Sequence, residues 1–134
     1  MIHSAIITVP ASTTQANPYE QTIQISRGII HRWIVYFPPG SLGEVKLQLM
    51  HGGEHILPST GEGYLLGNDF KLEGDDFREM LSEPYELIAR GWNDDTVYDH
   101  TIYLWTFIRP VWSYMPYSPD FLALLEEEEI RGLG

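Results

Sequence analysis

Residues 29–57, IIHRWIVYFPPGSLGEVKLQLMHGGEHIL, decide the fold class. Residues 29–37 are β-branched and aromatic, with apolar side chains on both faces, which reads as a central strand covered on both sides. Pro38-Pro39-Gly40 stops it, and Pro followed by Gly fits a type II turn. Residues 44–51 then alternate, with Val45, Leu47 and Leu49 on one side and Glu44, Lys46 and Gln48 on the other. Gly52-Gly53 can close a two-residue hairpin onto 54–57. In that hairpin His51 faces Glu54 and His55 faces Met50. Adjacent rungs point to opposite faces, so the two imidazoles diverge and no metal site is expected there.

The pattern extends in both directions. Upstream, residues 20–26 alternate around Ile23 and Ile25, and Arg27-Gly28 is a turn. Residues 2–9 (IHSAIITV) read as a strand, separated from the rest by the polar linker 10–19 (PASTTQANPY). The expectation is an N-terminal strand-and-linker arm over 1–19 that could either fold back or reach a neighbour, with Ile2, Ile6 and Ile7 as its partner contacts. Downstream, 58–63 is a loop, short strands are expected around 63–66 and 69–73, and 74–84 is polar with a single helical turn. Residues 85–92 and 101–109 are expected to pair as a long hairpin around the acidic loop 93–100.

After the extended, Pro-rich stretch 110–117, Ser118 can cap a helix, Pro119 suits its first position, and Asp120 complements the positive end of its dipole. Phe121, Leu122, Leu124 and Leu125 make an apolar stripe; Glu126 to Glu129 follow. The whole reads as an all-β antiparallel sandwich or jelly roll of about seven or eight strands. Its body spans 20–117, with an acidic amphipathic helix and tail over 118–134. The period-2 pattern puts Ile23, Ile25, Trp33, Val35, Val45, Leu47, Leu49, Leu87 and Trp105 in the core.

Composition narrows the function. The chain has 134 residues, enough for one domain with a core of its own. Eight Lys and Arg against nineteen Asp and Glu give a net charge of −11, and the basic residues never form a run, so nucleic-acid binding is not expected. No stretch approaches the ~20 apolar residues of a membrane span. The N-terminus lacks the basic start and unbroken apolar run of a signal peptide. There is no cysteine, which removes disulfides, thiolate metal sites and cysteine nucleophiles.

Chemistry-bearing motifs are equally sparse. The sequence contains no G-x-S-x-G, no H-E-x-x-H and no Gly-rich phosphate loop, so no catalytic residue and no cofactor is expected. The acidic loop Asn93, Asp94, Asp95, Asp99, His100 and the cluster Asp69, Glu73, Asp75, Asp76 lack the regular spacing of a calcium loop and read as turn chemistry. Trp33, Trp92, Trp105 and Trp112, with eight tyrosines, could supply a sugar-stacking platform; Trp33 and Trp105 lie inside strands, where burial is the simpler reading.

Two stretches, residues 27–70 and 83–108, resemble small all-β proteins of tailed bacteriophages, of the kind that decorate or cement capsids. The likeness rests on the apolar strand running into Phe37-Pro38-Pro39-Gly40, on His51-Gly52-Gly53, and on Gly91-Trp92-Asn93-Asp94-Asp95. It implies a non-enzymatic virion structural protein, assembled in the host cytoplasm, that joins the major capsid protein or other virion subunits and oligomerises. The arm and the C-terminal helix lie outside the likeness; on physical grounds, as exposed strand and helix stripe, they supply the expected partner contacts Ile2, Ile6 and Ile7 and Phe121, Leu122, Leu124 and Leu125. The alternatives are a carbohydrate- or receptor-binding module, another tail or neck component, or a small enzyme, which would need a pocket where polar side chains converge.

Overall fold

The computed structural model describes residues 1–59 and 63–113. Its eight strands are β1 (Ile2–Val9), β2 (Tyr19–Gln24), β3 (Gly28–Phe37), β4 (Val45–His51), β5 (Glu54–Leu57), β6 (Phe70–Met80), β7 (Glu86–Asn93) and β8 (His100–Arg109), followed by a 3-10 turn, Val111–Ser113. They form two antiparallel four-stranded sheets. Sheet I runs β1-β8-β3-β6 and sheet II runs β2-β7-β4-β5.

The strands form because alternating apolar side chains can be buried on one face while the backbone pairs in the ladder. Ile7, Val9, Val35, Phe37 and Leu104 of sheet I meet Ile23, Val45, Leu47, Leu49 and Leu87 of sheet II in one core, a sandwich-like arrangement. Every residue expected in the core is buried except Trp105. The Gly52-Gly53 turn is as expected: both glycines take positive φ, +56° and +84°, and His51 pairs with Glu54 and Met50 with His55.

Sheet I is broken in phase at His31. Ile30 pairs with Ile108 and Arg78, whereas Arg32 pairs with Phe107 and Asp75, so β3 gains a residue against β8 and β6 gains one against β3. This bulge flips the alternation, which is why even-numbered Ile30 and odd-numbered Trp33, Val35 and Phe37 all face the core.

Four expectations are corrected. The supposed free arm is a sheet strand: β1 pairs with β8 from Ile2↔Phe107 to Val9↔His100, and Ile7 and Val9 are fully buried. The linker is tied down as well. The Ser12 amide donates to the Asp95 carbonyl at 2.9 Å, the Ala11 amide to Asp99 Oδ1 at 2.8 Å, and the Asn93 amide to Thr13 Oγ1 at 2.9 Å. The folded body therefore starts at residue 2, not 20. Second, residues 74–84, read as a polar helical turn, supply most of β6, its residues 74–80; an edge strand with most side chains in solvent carries no apolar alternation to read. Third, β7 and β8 do not pair as a hairpin. The loop between them crosses from sheet II to sheet I. Fourth, Trp105 points outward, half-buried, on sheet I. Of the strand expected at 63–66, a single bridge between Leu47 and Leu65 forms. The expected helix beginning at Ser118 lies outside the described residues.

Candidate functional site

The outward row of β8 is Tyr103, Trp105 and Phe107, because Ile102, Leu104, Thr106 and Ile108 are buried. Register then assigns the neighbours. On one side Ile2 lies beside Phe107, Ser4 beside Trp105 and Ile6 beside Tyr103. On the other side Ile34 lies beside Trp105 and Tyr36 beside Tyr103. Ile2 and Ile6 are 59% and 62% exposed, and the aromatic side chains are half-buried by one another. The result is an apolar band across three strands, interrupted on β1 by the exposed Ser4.

Ring geometry holds the band together. Tyr103 and Trp105 are nearly parallel, with centroids 6.3 Å apart, and Tyr36 lies 6.3 Å from Tyr103 on the next strand. His31 meets Phe107 edge-on at 6.1 Å, and burial, with Arg109 nearby, holds its pKa below the ordinary 6.5. Tyr36 donates its hydroxyl to Asp69 Oδ1 at 3.1 Å, which raises its pKa.

The fourth strand supplies a charged border. Arg32 bonds Glu73 and, at 3.1 Å, Asp75; Lys71 bonds Glu73 at 3.0 Å. The two cations pull the Glu73 carboxyl below its usual range, Lys71 most strongly. The face thus grades from bare isoleucine on β1, through aromatics on β8 and β3, to ion pairs on β6.

Of the side chains expected to meet a partner, Ile2 and Ile6 lie on this face, while Ile7 points into the core. Phe121, Leu122, Leu124 and Leu125 lie outside the described residues. Reading the sequence missed Ile34 and Phe107; it counted Trp105 and the tyrosines toward a stacking platform but placed Trp105 in the core. A signal for them existed: 29–37 and 101–109 are apolar on both faces, and a two-layer fold can cover only one.

A second cluster sits where the chain crosses between sheets. Asp95 Oδ1 accepts the amides of Val97 and Tyr98 at 2.9 and 3.2 Å, and Asp95 Oδ2 pairs with His100 Nε2 at 2.9 Å. The Val97 amide, then His100, then the Tyr98 amide lower the Asp95 pKa from 3.8 to about 2. Asn93, fully buried, donates its amide group to the Val9 and Tyr98 carbonyls. Glu44 joins Asp95 and His100, with ligand atoms within 4.8 Å of one another. Three such ligands could take a divalent cation. In the folded chain, the bonds between Asp95 and His100 already use those atoms to clamp the crossing loop.

Comparison with protein-family models, with curated proteins and with solved structures finds no match.

Proposed function

We propose that this chain is a non-enzymatic structural subunit that docks onto a larger protein assembly through the outer face of sheet I. In its most specific form this is a decoration or cement protein on the exterior of a phage capsid, bound to the major capsid protein within the virion. The observation that carries the reading is the apolar band Ile2, Ile6, Ile34, Tyr36, Tyr103, Trp105 and Phe107, bordered by the Arg32–Glu73–Lys71 ion pairs. An apolar, aromatic centre with a polar rim is the anatomy of a protein interface. A net charge of −11 keeps many copies soluble at high local density.

The strand order supports a finer reading of the fold as a jelly roll. The pairs β1·β8, β2·β7, β3·β6 and β4·β5 are those of one long hairpin rolled up, with alternate pairs sent to opposite sheets. Viral coat domains and lectins use this architecture, though the fold alone assigns neither role.

A second reading, as a carbohydrate-binding module, is favoured by the near-parallel Tyr103 and Trp105 with Tyr36 beside them, a row on which sugar rings could stack.

Co-sedimentation with assembled capsids tests the first reading. Wild type should pellet with the particles, and Ile6→Glu with Trp105→Glu should stay in the supernatant while remaining folded. Equal pelleting of both, or of neither, overturns capsid docking through this face. A glycan-array screen reporting binding that Trp105→Glu abolishes would select the second reading.

A further inference from the structure

A cleft of about 120 Å³ opens between β6 and the free edge of sheet II. Its apolar floor is Trp33, Val35, Leu57, Leu65 and Leu72, contributed by both sheets. Its lip is the β6 run Glu73, Gly74, Asp75 and Asp76. The mouth stays open because Gly74, opposite Trp33, has no side chain; a Cβ there would meet nothing within 4 Å.

The three carboxylates are not equivalent. Glu73 and Asp75 are paired with Arg32, and Glu73 also with Lys71. Asp76 has no cation within ion-pair distance among the described residues. It accepts the Trp33 indole N–H at 2.8 Å and the Phe77 amide at 2.7 Å, both neutral donors. The bulge opposite His31 places Asp76 where the ladder loses its register, and bulges characteristically re-aim a side chain. The Trp33 indole, 3% exposed, then fixes the carboxylate at the rim.

An apolar slot ending at a fixed, uncompensated carboxylate has a definite complement. We propose that this cleft binds an unbranched apolar stem ending in a primary ammonium, the chemistry of a lysine side chain on a partner protein or of a free alkylamine. The stem replaces water on the five-residue floor, and the ammonium sits at Asp76 with Glu73 and Asp75 behind it. Only compact, thin groups of this kind join a short apolar reach to a point charge. A carboxylate-ended stem is repelled, and a neutral one forgoes the charge-assisted hydrogen bond. The site lies on the β6 edge and does not depend on docking through the outer face of sheet I.

The Trp33 indole N–H is a built-in reporter. In ¹H–¹⁵N spectra of the full chain, n-hexylammonium should shift the Trp33 indole resonance saturably, with a dissociation constant on the order of 1 mM. The binding should be at least ~5-fold tighter than that of n-hexanol, and hexanoate should not bind. Asp76→Asn keeps an acceptor for the indole but removes the charge, and should erase the preference over hexanol. Gly74→Val should block the cleft while leaving the circular dichroism and melting temperature unchanged or improved, since valine suits a strand. The capped peptide Ac-Gly-Lys-Gly-amide, run beside hexylammonium, identifies the source: tighter binding of the peptide points to a partner's lysine, tighter binding of the amine to a free ligand. Equal binding of hexanol, a shift shared by all four Trp indoles without saturation, or no shift at all overturns the proposal.

Discussion

The outer faces of the two sheets are built from the same strand geometry and end up with opposite characters. Sheet I shows Ile2, Ile6, Tyr103, Trp105 and Phe107, rank against rank, to the outside. On sheet II the outward apolar residues are fewer: Met50 and Ile88 form one half-buried cross-strand pair, and the largest side chain is covered. Trp92 is 4% exposed, with the exposed Tyr64 packed edge-on against it at 5.4 Å. Gln48 is buried beneath residues 63–65, donating to the Gly63 carbonyl at 2.7 Å. Beside it, Arg90 pairs with Glu20 at 3.2 Å, and Gln24 bonds Glu86 at 3.3 Å. The second sheet finishes its own surface with loop and ion pairs. On the first, no described residue covers the band across β1, β8 and β3, and exposed contiguous apolar area is the usual mark of a surface awaiting a partner.

The largest test of this contrast removes strand β1. Deleting residues 1–9 strips Ile2 and Ile6 from the face but also takes Ile7 and Val9 from the core. Burial of those two side chains alone is worth roughly 3–6 kcal/mol, against a total stability of about 5–15 kcal/mol. The truncated chain should be molten or insoluble by near-ultraviolet circular dichroism. A well-folded, cooperatively melting truncation would mean that β1 is an appendage to the sandwich after all.

A smaller effect separates the two outward tryptophans. Trp92→Ala should cost about 3–5 kcal/mol in chemical denaturation, because it empties a covered site. Trp105→Ala should cost roughly 1 kcal/mol, because its outer side already meets water. Equal losses would show that both faces are internal to the fold and would remove the contrast.

The smallest effect concerns the crossing that joins the faces. The Asp95 pKa is depressed, so the clamp's contribution is fully present above the ordinary value of 3.8 and is lost as pH falls through about 2. The melting-temperature gap between wild type and Asp95→Asn should therefore be constant from pH 7 to 5 and close as the pH is lowered from about 4 to 2. A gap that persists at pH 2 would show that Asp95 acts through shape rather than charge.

Much of this molecule was legible in the order of its residues. Alternation marked the strands around Ile23, around Val45-Leu47-Leu49 and around Leu87, and Gly52-Gly53 specified a hairpin down to its pairs, because a two-residue turn with positive φ admits one register. Of the edge strand β6 only the start, expected around 69–73, was legible. Its side chains mostly face water, and a strand with no buried stripe has no period to detect.

Tertiary structure decided the rest, for two physical reasons. Alternation says that a strand has two faces but not which is inside when both are apolar, so the choice of Leu104 over Trp105 for the core depended on which surface met the second sheet. Pairing partners, too, are set by closure of the whole sandwich. β7 and β8 are adjacent in the chain, yet each finds its ladder with strands far away, β7 with β2 and β4, β8 with β1 and β3. Pairing within each sheet brings Glu44 to Asp95, β4 lying beside β7, and Asp76 to the Trp33 indole, β6 lying beside β3. These contacts join residues far apart in the chain, and they exist only because the fold decides which strands lie side by side.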